Sequence, residues 1–521
     1  MNSAKAKKIF LGVVLLVMPV LAGAGPLTPE EQRGRQIFVD GTSPSGGELI
    51  AVMGAAVGDQ GIEVPASTVP CANCHGRDGR GKPEGGVAPS DLTWSVLTRS
   101  GVTSPGGRSH PPYDERLFKR AVTMGLDPAG HPLHVAMPRF RLSLEDMADL
   151  TAYIKRLGTA SDPGVTDTAV RIGLVLPPPG PPAALGKAVQ AALAARFQEW
   201  NRQGGIYGRR LDLIAFEPPA DSNARRAAVA DFLVRSDTFA HLGAFLLGDD
   251  TALAALFEKN EMPLVAPFTI HPRETFPLQR EVFYLLSGIE AQGVALARVL
   301  RTVRSTPSAH PPSPVIVAPD DAGLDEAVSA VSHALGAWAP AQTVRYERNA
   351  FDPAVLAHRL SGSDPVLFLG AGPEALAFLR AADAIGWHPA FAATAAAGDG
   401  ALRQAPESFA GRLWLALPGS PGVPEDEARR YRSLAAEHSL PRDNVSAQLT
   451  ALAGAEILGE ALRRAGRDLT RDRLIEQLES LRGFATGYAP SVTYTPTRRL
   501  GARGAWVMKL GEETGQWVEA E

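Results

Sequence analysis

Both cysteines of this 521-residue chain fall in the short stretch PCANCHGRDGRG, residues 70–81. Cys71 and Cys74 stand three positions apart, and His75 follows at once. Cys-x-x-Cys-His is the spacing of covalent c-type haem attachment. Two thiols one helical turn apart can add to the two vinyl groups of a haem, and the next residue then lies under the iron. His75 would present an imidazole nitrogen there as the proximal ligand. Competing chemistries ask for other surroundings. A thioredoxin-like pair wants a strand-to-helix turn and no following histidine, and Gly76, Gly79 and Gly81 make this stretch read as a loop. Zinc wants four ligands, and there is no second cysteine pair. A disulfide across so short a span would stabilise almost nothing.

A haem group needs a protein cage, and the flanking sequence offers one. TPEEQRGRQIF opens with a helix start: Thr28 caps, Pro29 suits the first position and Glu31 completes a capping box. SLEDMADLTAYIKRL is a second helix, capped by Ser143, with Leu144, Met147, Leu150, Ile154 and Leu157 at helical spacing. With the haem motif, the stretch from Thr28 to about Leu157 resembles a class I cytochrome c domain. The resemblance implies an all-α fold in which Gly34 and Tyr153 meet where the first and last helices cross. It implies one covalent haem c. It also implies that Met137 of HVAMPRF, 62 residues beyond His75, is the second axial ligand. Met124, His131 and His134 are the rival ligands; Met124 is expected in the buried face of a helix over YDERLFKRAVTMGL, and the two histidines on a loop surface. The loop around Pro89 resembles the family's proline loop, whose carbonyl orients the proximal imidazole. One departure stands out. About thirty residues separate GRQIF from the haem motif, and they read either as a tolerated surface loop or as a docking surface beside the haem edge.

GTASDPGVTDT, residues 158–168, lacks apolar periodicity and reads as a linker. From residue 169 to 521 short β-rich runs (AVRIGLVL, RLDLIAF, VIVAP, PVLFLG) alternate with helical stretches, the signature of parallel α/β structure. The pattern restarts after a Pro-rich crossing, which predicts two lobes with a cleft between them. This half resembles periplasmic solute-binding proteins of the leucine/branched-chain amino-acid type. Its clearest match is EWNRQGGIYGRRLDLI, where Gly204 and Gly205 stop a helix and Gly208 turns into the second strand. The fold class expected for the chain is therefore an all-α cytochrome c domain followed by a two-lobed α/β module of the periplasmic-binding-protein type I kind.

The expected ligand contacts are altered. Where that family places hydroxyl residues for a ligand carboxylate, LGDDTAL supplies Asp249 and Asp250, which would repel an anion. Ile270 replaces an expected threonine, with Phe268 and Thr269 beside it, and Ala322 replaces a stacking tyrosine. The candidate cleft residues are Asp249, Asp250, Phe268 and Thr269. A cationic, alcoholic or apolar small molecule suits them better than a free α-amino acid, and a retained fold without a small ligand is the alternative. Trp387 and Trp414 read as core, and GAGPEA as a turn.

The formal charge of −4 suggests neither nucleic acid nor an anionic membrane as a partner. Lys5, Lys7 and Lys8 precede a 13-residue apolar run, Ile9 to Leu21, and then Ala22-Gly23-Ala24. That is the pattern of a signal peptide, residues 1–24, cleaved after about Ala24 and too short for a span of ~20 residues. Its loss takes the charge to −7, with 49 basic against 56 acidic residues. The expectation is an exported, periplasmic electron carrier rather than an enzyme, whose redox partner is a dehydrogenase or terminal acceptor. The alternative is a small-molecule binding protein or sensor in which the haem domain is accessory.

Overall fold

The computed structural model describes residues 27–54, 61–81, 83, 85–100, 109–158, 162–273, 278–302, 313–336, 341–419, 422–511 and 517–520. The expected signal peptide, residues 1–24, lies outside them. The chain divides into two compact units, residues 1–161 and 162–521.

In the first unit Thr28 starts α1 (Pro29–Asp40) through a full capping box: its hydroxyl accepts from the Glu31 amide, and Glu31 accepts from the Thr28 amide at 2.8 Å. Then come β1 (Ile50–Met53), β2 (Ile62–Pro65), α2 (Cys71–His75), α3 (Trp94–Leu97), α4 (Glu115–Met124), β3 (Arg139–Arg141) and α5 (Leu144–Arg156). Ser143 caps α5 by accepting from Asp146 N at 3.0 Å. Helices α1 and α5 cross at Gly34. A Cβ there would lie 1.9 Å from the Asp149 carbonyl oxygen and 2.8 Å from Tyr153 Cβ, so only glycine allows this approach. Beside the crossing Arg33 donates twice to Asp149, at 2.7 and 2.8 Å, and Phe38 packs on Tyr153 with ring centroids 5.5 Å apart. Phe38, Leu97, Phe118, Phe140, Leu150 and Ile154 form the core above it.

The segment between α1 and the haem motif is not simply a loop. Strand β1 is the centre of a three-stranded antiparallel sheet, β2-β1-β3. Leu49, Ala51 and Ala66 are buried in the core. The short polar stretches in this segment hide that pairing, because β3 comes from a part of the chain some ninety residues away.

The second unit has two lobes. In the first, β4 (Ala169–Val175), α6 (Ala183–Arg202), β5 (Arg210–Phe216), α7 (Ser222–Arg235), β6 (Ala240–Leu242), α8 (Asp250–Lys259), β7 (Leu264–Val265) and β8 (Val282–Phe283) build a parallel sheet of order β5-β4-β6-β7-β8. Gly204, Gly205 and Gly208, at the end of α6, all have positive φ. The chain then crosses to the second lobe with α9 (Ile289–Thr302), β9 (Val315–Pro319), α10 (Asp325–Gly336), β10 (Gln342–Tyr346), α11 (Pro353–Leu360), β11 (Val366–Phe368), α12 (Gly372–Ala384), β12 (Phe391–Thr394), α13 (Asp399–Leu402) and β13 (Leu413–Leu417). Strand β9 is buried along its whole length, as strands covered on both faces must be. Next α14 (Glu425–Glu437), α15 (Val445–Ala465) and α16 (Arg471–Glu479) return to the first lobe, where Leu452, Ile457, Leu458 and Leu474 join Leu174 and Leu193 in one core. Finally β14 (Trp506–Leu510) and β15 (Trp517–Glu519) add antiparallel strands to the second sheet, giving β10-β9-β11-β12-β13-β14-β15. Trp414 is buried and Trp387 packs on the core of this lobe.

Arg471 fastens α16 to the first sheet by donating to the carbonyls of Phe239 and Thr238, each at 2.9 Å. Close by, His241 is wholly buried, with Nε2 3.0 Å from the Thr238 hydroxyl and Nδ1 without a hydrogen-bond partner. Burial, reinforced by the Arg471 charge, pushes its pKa down to about 3 from an ordinary 6.5. Above that ordinary value neither folded nor unfolded chain is protonated at this position. Below it the unfolded chain takes up a proton that the folded chain refuses, so stability falls with pH by up to about 1.4 kcal/mol per unit. His241→Gln should remove this component. In urea unfolding the difference between variant and wild type should therefore shift in the variant's favour from about pH 7.5 to about pH 5. Parallel loss in both proteins would show that His241 is not responsible.

A haem-sized cavity and the expected cleft residues

The cytochrome-like unit encloses a cavity of about 600 Å³, within the ~300–1,000 Å³ usual for small-molecule sites. Cys71, Cys74, His75 and Met137 all line it, together with apolar walls that include Phe38, Leu97, Phe118, Leu150 and Ile154. The Cys71–His75 segment forms a single helical turn, with the loop beginning only at Gly76, so the two thiols share one face of that turn.

His75 is buried, and its Nδ1 lies 2.9 Å from the Ser90 carbonyl oxygen. Burial pulls the imidazole below its ordinary pKa and so keeps it neutral, the Ser90 bond opposing this more weakly. With Nδ1–H donating to Ser90, Nε2 is the nitrogen left with a lone pair for a metal. The acceptor is thus Ser90, one residue beyond the expected Pro89. The Pro89 carbonyl lies instead against Gly81, where a Cβ would come within 2.3 Å of its oxygen. Gly81 also donates its amide to the His75 carbonyl at 2.7 Å, and its φ of +87° favours glycine. Gly81 therefore lets the loop close over the histidine.

The other candidate ligands separate by position. Met137 is half-buried against the core. Met124, expected in a buried helix face, is 54 % exposed at the end of α4 and lines no part of the cavity. His131 is turned to Asp127, with Nδ1 3.2 Å from the carboxylate. His134 does reach the cavity, yet its Nδ1 accepts from the Ala136 amide at 3.2 Å. A neutral imidazole held this way carries its proton on Nε2 and offers no second lone pair. Two further lining residues carry no sequence signal. His110 faces the cavity with Nδ1 2.8 Å from the Pro111 carbonyl oxygen. Tyr113 packs edge-on against it at 5.1 Å, and burial pushes the phenol up to about 12. Neither stands at a fixed spacing from the haem motif, so only the tertiary fold brings them there. The apolar wall, the paired thiols, the neutral imidazole and the thioether fit a covalently held haem.

In the second unit the residues expected at a cleft are found with partners of their own. Asp249 is already paired: Arg225 at 3.1 Å, Arg226 at 3.3 Å and the Ser222 hydroxyl at 2.6 Å surround its carboxylate. It is not the repelling charge expected from its position. Asp250 accepts from the Thr269 hydroxyl and, at 3.1 Å, from the Gly248 amide. Burial raises its pKa, with Thr269 and His271 opposing. Phe268 stacks on Phe245 with centroids 4.6 Å apart. His271, which sequence reasoning passed over, approaches the second lobe: a Cβ on Gly323 would lie 3.5 Å from its Nε2.

A family model described as periplasmic binding protein matches residues 169–516. The chain belongs to that family. A second model, cytochrome c, matches residues 67–158, so this periplasmic binding protein carries a cytochrome c domain ahead of its two lobes. No curated protein matches the chain. Among solved structures, a substrate-binding periplasmic protein from Ralstonia solanacearum is similar at 21% identity, covering 67% of this chain and 99% of its own, with a TM-score of 0.55. A fatty acid ABC transporter substrate-binding protein from Thermomonospora curvata gives 18% identity, 70% and 94% coverage, and a TM-score of 0.58. A branched chain amino acid ABC transporter from Thermus thermophilus with bound valine gives 16% identity, 68% and 96% coverage, and 0.57. At these identities the likeness establishes the fold alone.

Because a methyl at position 81 collides with the Pro89 carbonyl, Gly81→Ala should destabilise the cytochrome domain by about 1–3 kcal/mol. Gly86→Ala, at a positive φ but in open space, should cost less. Denaturant midpoints followed by circular dichroism compare the two; equal midpoints would mean that the Pro89–Ser90 loop yields.

Proposed function

We propose that this protein is an exported c-type cytochrome that carries one haem for one-electron transfer. In this reading the periplasmic binding module either docks a partner or takes a small molecule. The observation that carries it is the single cavity shared by Cys71, Cys74, His75 and Met137. Haem bound there would supply an Fe(III)/Fe(II) couple. Cys71 and Cys74 would hold it through thioethers, His75 would ligate from Nε2, and the soft Met137 thioether would favour the reduced state and raise the potential. The apolar walls exclude water and so limit the charge reorganisation that accompanies electron transfer. The one Cys-x-x-Cys-His motif supports one haem, and Met137, if it holds the iron opposite His75, would favour a carrier over an enzyme. Both families are usually exported, which supports a periplasmic location, and the small residues Ala22-Gly23-Ala24 support cleavage after about Ala24. Among the described residues no helix is long and apolar enough to cross a membrane. The redox partner would be a periplasmic dehydrogenase or a terminal acceptor.

A second reading is favoured by the two lobes themselves: a binding protein or sensor, with the cytochrome domain as accessory. The similar structures named for fatty acid and for bound valine frame the choice of ligand. Asp249 and Asp250 take up the local hydrogen-bond donors with their own carboxylates. With those donors taken, a cationic, alcoholic or apolar small molecule suits the site better than a free α-amino acid.

Protein made in a host competent in cytochrome maturation should keep its colour in acidified organic solvent. Its oxidised spectrum should show the weak long-wavelength band of thioether-ligated ferric haem. Met137→Ala should abolish that band and lower the potential. Colourless protein, or pigment shed into the solvent, overturns the carrier reading. A thermal-shift screen of alcohols, amines, fatty acids and amino acids tests the second, because a ligand present at about 100 times its Kd stabilises by about 2.7 kcal/mol.

A further inference from the structure

The stretch that carries Met137 is tied down differently on its two sides. Upstream, it is fastened to the end of α4: Leu133 N donates to the Gly125 carbonyl at 2.8 Å and Asp127 N to that of His131 at 2.9 Å. A turn from Met137 N to the His134 carbonyl, 2.9 Å, follows. Downstream, the next backbone pairing among the described residues is the β1–β3 ladder, which begins two residues after Met137 with Val52 opposite Arg139. It continues with Ala51 opposite Phe140 and Ile50 opposite Arg141. The central pair is locked into the core, since Ala51 is fully buried and Phe140 nearly so. Strand β2 backs β1 from the other side along four residue pairs, and its Glu63 meets Arg141 of β3 at 2.5 Å. The base of this hairpin is anchored as well. Ala66 N donates to the Leu49 carbonyl at 2.8 Å, and Ser43 donates to the buried Asp146 near the start of α5, also at 2.8 Å.

We propose that the β1–β2 hairpin is a strap that positions Met137, holding its loop closed so that the thioether stays in the haem cavity. The proposal rests on Met137 being the axial ligand. A thioether is a neutral, weak donor, and an exogenous base can displace it whenever the loop opens. The apparent affinity of such a base is its intrinsic affinity scaled by the open fraction. Each cross-strand pair that must separate for the loop to open lowers that fraction. Ala51 and Val52 are thus positioning residues, which act through β3 and not by touching iron. This gives the long segment ahead of the haem motif a task that a surface loop does not have.

The hydrogen bond between Leu49 and Ala66 shows where the hairpin can be removed: residues 50–65 are excised and Leu49 is joined to Ala66 through Gly-Gly in the otherwise full-length holoprotein. Imidazole titration of the oxidised protein and the thioether band are read for wild type, the excised chain and Thr28→Ala. The last of these removes the α1 cap, weakening the unit at a residue that belongs neither to the ladder nor to the cavity lining. The expected result is imidazole affinity raised about tenfold or more in the excised chain, with a weakened or lost band. In Thr28→Ala both readings should remain near wild type. If the excised chain does not accumulate, Val52→Pro, which breaks the central strand opposite Arg139, carries the same expectation. A wild-type band with unchanged band and imidazole affinity in the hairpin variant overturns the strap alone. Equal changes in Thr28→Ala also overturn it, by reducing the hairpin to general stability. A wild type without the band overturns the Met137 reading, and the strap with it.

Discussion

The bond from His75 Nδ1 to the Ser90 carbonyl governs what the cytochrome domain can do. An imidazole has two nitrogens, and a neutral one keeps a single lone pair. By committing Nδ1–H to a backbone oxygen at 2.9 Å, the fold selects the tautomer, the ring orientation and the one nitrogen that can serve a metal. The rest of the proximal side supports that bond. Leu92 N returns to the Gly79 carbonyl and Gly81 N to that of His75, so the loop bearing Ser90 is stitched to the helical turn bearing the cysteines. Even the choice of glycine at 81 follows, because any side chain would push against the carbonyl just before the acceptor.

A similar economy of hydrogen bonds shapes the loop between β6 and α8 of the binding module. Buried carboxylates must be paired or hydrogen-bonded. Asp249 is met by two arginines and a serine, and Asp250 by a threonine and a backbone amide. The two aspartates are adjacent in the chain but face different partners. Aspartates at positions 249 and 250 therefore set the internal wiring of the loop as well as its charge.

What could be read from the chain in advance was whatever is encoded within a few residues. The Thr28 capping box, the Ser143 cap, the spacing of Cys71, Cys74 and His75, and the glycines that end α6 are local, and each carries its own stereochemical reason. The α1–α5 crossing at Gly34 was legible only because a family resemblance joined two distant helices. Pairings without a local signature were not legible. Strand β1 finds its partner β3 far along the chain, so the segment between α1 and the haem motif read as a loop. His110 and Tyr113 reach the cavity only through the fold. Met124 sits at helical spacing, but the periodicity does not reveal that its turn is the last one and points outward. Asp249 looked like an unpaired charge because Arg225 and Arg226 belong to the preceding helix.

The order in which the chain visits its lobes bears on how the protein is made. The first lobe needs α15 and α16 to finish its core, and the second needs β14 and β15 to complete its sheet. Neither lobe has all its parts until some 500 residues have emerged. The cytochrome domain, in contrast, has every element it requires by Arg156. Since domains fold as units and in order of synthesis, a finished cage at the leading end coexists with a long unfinished tail. That leaves a window in which a haem could reach the Cys71–His75 turn before the bulk of the molecule has taken shape.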